Sequence, residues 1–122
     1  MIILGHELLS YEDLFVISNT EDINKTKANS TILFKYNEDL LSYASKNSLL
    51  FAVRVNNIKE AVICNSLEAK YIICEKNIAK SIQDIAENYM FDSKILTIIK
   101  DESQIEEIAI LGIDGVVYKN LC

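Results

Sequence analysis

Proline is absent from this 122-residue chain and glycine occurs three times. Turns and irregular loops draw on those residues, so the chain is expected to be almost entirely regular structure. Three glycines cannot build a Gly-x-x-x-x-Gly-Lys-[Ser/Thr] loop or a Gly-x-Gly-x-x-Gly loop, and no nucleotide cofactor is expected. Histidine occurs once, as His6, and there is neither a His-Glu-x-x-His nor a Cys-x-x-Cys, so no metal site is expected. A Gly-x-Ser-x-Gly nucleophile elbow is also missing. No apolar run reaches the ~18 residues that a membrane-spanning helix needs. The opening stretch "MIILGHELLSYEDLF" lacks a basic region, and His6 and Glu7 break its apolar block, so it does not read as a signal peptide.

Positive charge is also scarce. The net charge is −6, with 12 Lys and Arg against 18 Asp and Glu. Nucleic-acid binding needs a clustered basic face, and attraction to anionic membranes needs a basic patch; neither partner is expected. A small anionic ligand needs only a local site and stays open. The three cysteines, Cys64, Cys74 and Cys122, are an odd number with no metal-type spacing, and read as reduced thiols of a cytoplasmic protein.

Apolar residues make up 50% of the chain. Five short, β-rich apolar blocks begin at residues 31, 49, 71, 94 and 115: "TILFKY", "LLFAVRV", "YIIC", "KILTII" and "GVVY". Nearly continuous apolar character suits parallel strands buried on both faces. Between them lie amphipathic stretches expected to be helices over 37–47, 56–69, 76–91 and 101–112. Asn37 is a candidate N-cap, and Gly112 sits where a left-handed residue would end the last helix. The rhythm is one βα unit per roughly twenty residues; 58–73 can be laid over 105–118, which reads as convergence on one helix-turn-strand pattern, with an internally repeated βα array as the alternative. The first thirty residues break the rhythm. "MIIL" and "LFVIS" are strand-like, "NTEDINKTKANS" is polar, and the segment is expected to add one or two strands at a sheet edge.

In open parallel α/β sheets, ligands bind at the carboxyl ends of the strands. Those ends carry Lys35, Arg54, Glu75, Lys100 and Lys119, four cations out of five in an acidic chain. Arg54 is the only arginine and lies inside an apolar run. It must meet an acid, a ligand or water, because unpaired buried charge is costly. Two arrangements follow. The cations converge on a small anion with Glu75 as the one acid or base at hand, or Arg54 pairs with Glu75 from the next strand and the other side chains reach water. His6 reads as a hydrogen-bonded residue beside a terminal strand, with general-base chemistry as the alternative. Cys64 and Cys74 read as core residues.

Residues 95–118, and "GIDG" at 112–115 in particular, resemble the last βαβ step of phosphate-binding (β/α) barrels, such as those similar to indole-glycerol-phosphate synthase and the glycerophosphodiester phosphodiesterases. The resemblance covers about a fifth of the chain and implies shared architecture. Barrel phosphate sites use a Gly-rich loop and a short helix after the last strand, whereas "KNLC" follows Tyr118 here. The phosphodiesterases' His-Arg-Gly and metal carboxylates are missing too, and eight βα units need roughly 200 residues.

The expectation is therefore one α/β domain over 1–122, with an open, mainly parallel sheet of five to six strands and helices on both faces. This is flavodoxin-like in architecture; the alternative is a half (β/α) barrel, whose uncovered face would call for a partner or an N-terminal lid. The expected role is a non-catalytic binding or protein-interaction module that associates with itself or with another protein. The alternative is a protein or enzyme that binds a small phosphate-containing metabolite at the strand carboxyl ends.

Overall fold

The computed structural model describes all 122 residues. The chain forms an open α/β sheet in which every strand pair is parallel. Its strands are β1 (Ile2–Leu4), β2 (Leu14–Val16), β3 (Thr31–Lys35), β4 (Phe51–Arg54), β5 (Tyr71–Cys74), β6 (Lys94–Ile99) and β7 (Gly115–Tyr118). Four α-helices, α1 (Glu38–Lys46), α2 (Ile58–Ser66), α3 (Lys76–Asn88) and α4 (Ile105–Ile110), connect β3 through β7. The sheet has seven strands, against the five to six expected, because both strand-like stretches of the first thirty residues join it as three-residue edges.

The strand order β1-β7-β6-β5-β4-β3-β2 explains a second difference. From β2 to β7 each strand lies beside its predecessor, so the crossovers never reverse direction. All four helices consequently contribute to one large core on one side of the sheet, with Phe34, Val53, Ile72, Ile95 and Val116 from the strands. The flavodoxin-like arrangement needs a reversal in strand order to put helices on both faces, and this chain has none. It takes the half-barrel form. The opposite face carries a smaller core of Leu4, Leu33, Ala52, Tyr71, Ile73, Leu96, Ile98 and Val117. Ile2 of one edge and Leu14 of the other both pack on it, so the sheet is curled, and the open side between edges β1 and β2 is its seam.

Local sequence sets the helix ends. Asn37 and Asn57 cap α1 and α2, accepting from the N–H groups of Leu40 (3.1 Å) and Glu60 (2.9 Å). At the far end all four helices close in one way. The residue two beyond the helix adopts a left-handed backbone: Ser48 (φ 52°), Glu68 (66°), Met90 (50°) and Gly112 (76°). Their N–H groups bond to Ser45, Asn65, Glu87 and Ala109. The next residues, Leu49, Ala69, Phe91 and Ile113, bond back to Ala44, Cys64, Ala86 and Ile108. These are Schellman closures, in which two orphan carbonyls are met and an apolar residue is turned inward. Gly112 fills the role expected of it. The other three closures use residues for which the left-handed region is unfavourable.

Polar side chains lock the strand starts that follow. Buried Gln83 of α3 accepts the Asp114 N–H at 2.9 Å, and the Asp114 carboxylate accepts the Ile95 N–H at 2.9 Å. The acid of "GIDG" thus holds the turn into β7 against β6. Gly115 lies so close to β1 that a Cβ there would sit 2.4 Å from the Ile2 carbonyl oxygen. No helix is long and apolar enough to cross a membrane.

Candidate functional site

Side chains alternate between the faces of a strand, so Lys35, Arg54 and Glu75 fall on the inner face with Leu33, Ala52 and Ile73. Lys35 and Arg54 are register partners on β3 and β4. Arg54 Nη2 donates to Glu75 Oε1 at 2.8 Å. The arginine side chain is 31% exposed and the glutamate 58%. Of the two arrangements open to Arg54, the ion pair is the one formed, at the rim and in reach of water. Lys35 and Arg54 line a cavity of about 220 Å³ together with Val16, Leu33, Asn37 and Cys122. Lys100 and Lys119 are exposed and do not line it. The five strand-end residues therefore do not converge. Three meet around Arg54, and two stand apart.

The end of the chain narrows this site. Lys119–Leu121 form a 3-10 turn, and Leu121 and Cys122 pack on the inner core. Burial raises the Cys122 thiol pKa; nearby Arg54 opposes this and Glu75 adds to it. Cys64 and Cys74 are fully buried, and burial, with smaller contributions from Glu60 and Glu75 respectively, pushes each thiol up to about 12. Neither is a thiolate near neutrality, which is the form that reacts. All three cysteines are free.

His6 follows β1. Its Nδ1 accepts the Leu8 N–H at 3.1 Å, which leaves Nε2 to donate to Glu102 Oε2 at 2.7 Å. Both ring nitrogens are engaged, and the ring meets Tyr118 edge-on at 6.3 Å. No group of three or more His, Cys, Asp and Glu side chains is arranged to hold a metal.

The cluster that the sequence does not advertise lies at the opposite end of the sheet. Glu12 Oε2 accepts from Lys70 Nζ and from Thr31 Oγ1, each at 2.7 Å, and Oε1 accepts from the Tyr71 hydroxyl. Burial pushes this carboxyl up, but the hydrogen bonds from Lys70, Tyr71 and Thr31 outweigh it and hold the pKa below its ordinary value. Burial and the same carboxylate push Tyr71 up. The cluster ties the connection between β1 and β2 to the middle of the sheet.

No protein-family model and no curated protein matches the chain. Its chemistry must be read from its own surface.

Several large apolar side chains of that surface lie along the seam. The connection from Gly5 to Asp13 runs from the carboxyl end of β1 to the amino end of β2, crossing between the two sheet edges. Leu8 is 83% exposed, Leu9 46% and Tyr11 42%, and Val16 on the edge strand β2 is 55% exposed. In the β2–β3 ladder Ile17 N–H donates to Leu33 O at 2.9 Å, and Asp13 O accepts from Thr31 N–H. Backbone groups alternate sides along a strand, so those of Leu14 and Val16 turn to the open edge, where no hydrogen bond within the chain meets them.

Proposed function

We propose that the chain is a non-catalytic protein-interaction module whose binding surface is the seam between β1 and β2. The observation that carries this reading is the run of exposed Leu8, Leu9 and Tyr11, followed along the same segment by exposed Val16 and the unpaired backbone of β2. Large apolar side chains grouped in water mark interaction sites, and a free strand edge offers backbone partners in register. The Arg54–Glu75 pair supports the same reading, because the one arginine at the strand carboxyl ends already has an acid partner. We place the module in the cytoplasm, which suits its three free thiols.

A photo-crosslinking amino acid at Leu8, compared with one at Ile110, tests this in cells that make the protein. Ile110 is 78% exposed on α4, far along the chain from the seam. Protein adducts are expected at position 8 and not at 110. Equal yields at both positions, or none at 8, would remove the reading.

Lys35 supports a second reading. It shares the Arg54 cavity and has no acid partner, so a small anion would find one unpaired cation there beside a half-neutralised one. Titration with inorganic phosphate, followed by the amide shifts of residues 35–37 and 54, tests it. Silent amides at millimolar phosphate would discard it.

A further inference from the structure

We propose, resting on the interaction-module reading, that the seam takes an extended basic segment of another protein, which adds a strand along the free edge of β2. Charge selects this occupant. Residues 1–24 contain five acids, Glu7, Glu12, Asp13, Glu21 and Asp22, and no Lys or Arg. The rest of the chain holds 13 acids and 12 bases, which almost cancel. The segment that borders the seam therefore carries nearly all of the net charge. Glu12 is held by Lys70, and Asp22 by the Ser18 N–H and Lys25. Glu7, Asp13 and Glu21 are exposed and belong to no ion pair. Glu7 adjoins the exposed Leu8, and Asp13 adjoins Leu14, whose backbone faces the open edge.

A second copy of this chain joined seam to seam would bring the same uncompensated acids against these, and like charges facing one another suppress a pairing. A segment with Lys or Arg at alternate positions meets them with the opposite sign. Its intervening apolar side chains would lie against Val16 and the Leu8–Tyr11 run. Its backbone would satisfy the N–H and C=O groups of Leu14 and Val16, the mode in which peptides add to sheet edges. Such an occupant uses all three features of the seam: the apolar run, the unpaired edge and the acids.

The test selects displayed random heptapeptides on the immobilised full chain, and in parallel on a Glu7→Lys, Asp13→Lys, Glu21→Lys triple variant shown by thermal melting to fold. Peptides enriched on the wild-type chain should be net positive with apolar residues at alternate positions. One synthesised winner should slow hydrogen exchange at the Leu14 and Val16 amides and bind more weakly as salt rises. The triple variant should bind it about tenfold less tightly or worse, since charge reversal converts attraction to repulsion. Neutral or acidic winners, protection elsewhere, or unchanged affinity in the triple variant would overturn the proposal. Sedimentation of the full chain separates the two levels of inference. A dimer dispersed by Leu8→Glu would sink the basic partner while keeping the module. A monomer that enriches no peptide would sink both.

Discussion

Four times between Thr31 and Tyr118 the chain runs from strand to helix to left-handed turn to strand. Between Met1 and Ser30 it makes two three-residue strands at opposite edges of the sheet and no α-helix. The repeated part closes its hydrogen bonds locally. Each helix end is satisfied by the residues that follow it, and each strand lies beside the next one in sequence. The first thirty residues keep this pattern only where β2 lies beside β3; β1 lies beside the last strand, β7. They are attached through Glu12, whose partners Lys70 and Tyr71 lie far along the chain, and through the contact of Ile2 with Gly115. What the comparison teaches is where an interaction surface can exist in so regular a molecule. The repeats pair their strands with one another as they stack, so both open sheet edges fall to the non-repeating segment, which also exposes Leu8, Leu9, Tyr11 and Val16.

The comparison can be broken most forcefully at Gly115. Gly115→Ala places a Cβ against the Ile2 carbonyl and the Leu96 side chain, and should cost ~3 kcal/mol, the upper part of the range for overpacking a tight contact. Denaturant unfolding gives the loss, and hydrogen exchange should show β1 released while β3–β6 stay protected. Uniform loss of protection would mean the two regions are one cooperative unit.

The second break is Glu12→Gln, which removes charge-assisted hydrogen bonds to Lys70, Tyr71 and Thr31 and should cost ~2 kcal/mol. It also predicts a pH dependence. The carboxyl is held below its ordinary value of 4.5 in the folded protein, so its contribution is complete above that value and is lost as the pH falls through the folded-state pKa. Wild type minus variant stability should therefore shrink on acidification below pH 4.5. A difference that stays flat there would show that the latch does not depend on charge.

Within the repeats, the helix closures sharpen the contrast through opposite signs. Gly112→Ala should destabilise by ~1 kcal/mol, because the left-handed region penalises a Cβ, and nothing lies within 4 Å to add a clash. Met90→Gly relieves the same penalty at φ 50° and should stabilise by ~0.5–1 kcal/mol. Two melting curves moving the same way would refute the shared closure. The smallest effect is expected from Arg54→Met. A rim ion pair contributes ~0.2–1 kcal/mol, and replacement by an apolar stem of similar length should leave the melting temperature almost unchanged.

The repeated region was largely legible in the sequence. Its apolar blocks coincide with β3 to β7, and Asn37 and Asn57 cap as their position suggests. Boundaries slipped where the stop signal was missing. The third helix was expected to reach residue 91 but ends at Asn88, because Met90 does the turning that a glycine usually announces. The pairing of Arg54 with Glu75 could be anticipated because they end neighbouring strands. Glu12 could not, since nothing local distinguishes it from Glu7 or Asp13; only the curl of the sheet brings it to Tyr71. Helices on both faces were expected because βα rhythm alone does not say whether strand order reverses.

The pairing of Ile2 with Gly115 spans almost the whole chain, and this has a kinetic side. Neighbouring repeats can pair as soon as each is made, closing loops of about twenty residues, while β1 must wait for the last strand. Closing so long a loop is slow and comes after the local contacts. During synthesis β1 is thus made first and docked last, and pulse-labelled refolding should place its amide protection after that of β3 to β5. Until then Ile2, Ile3 and Leu4 stand in water beside Leu8 and Leu9, and a chaperone that favours short apolar stretches would find its target there.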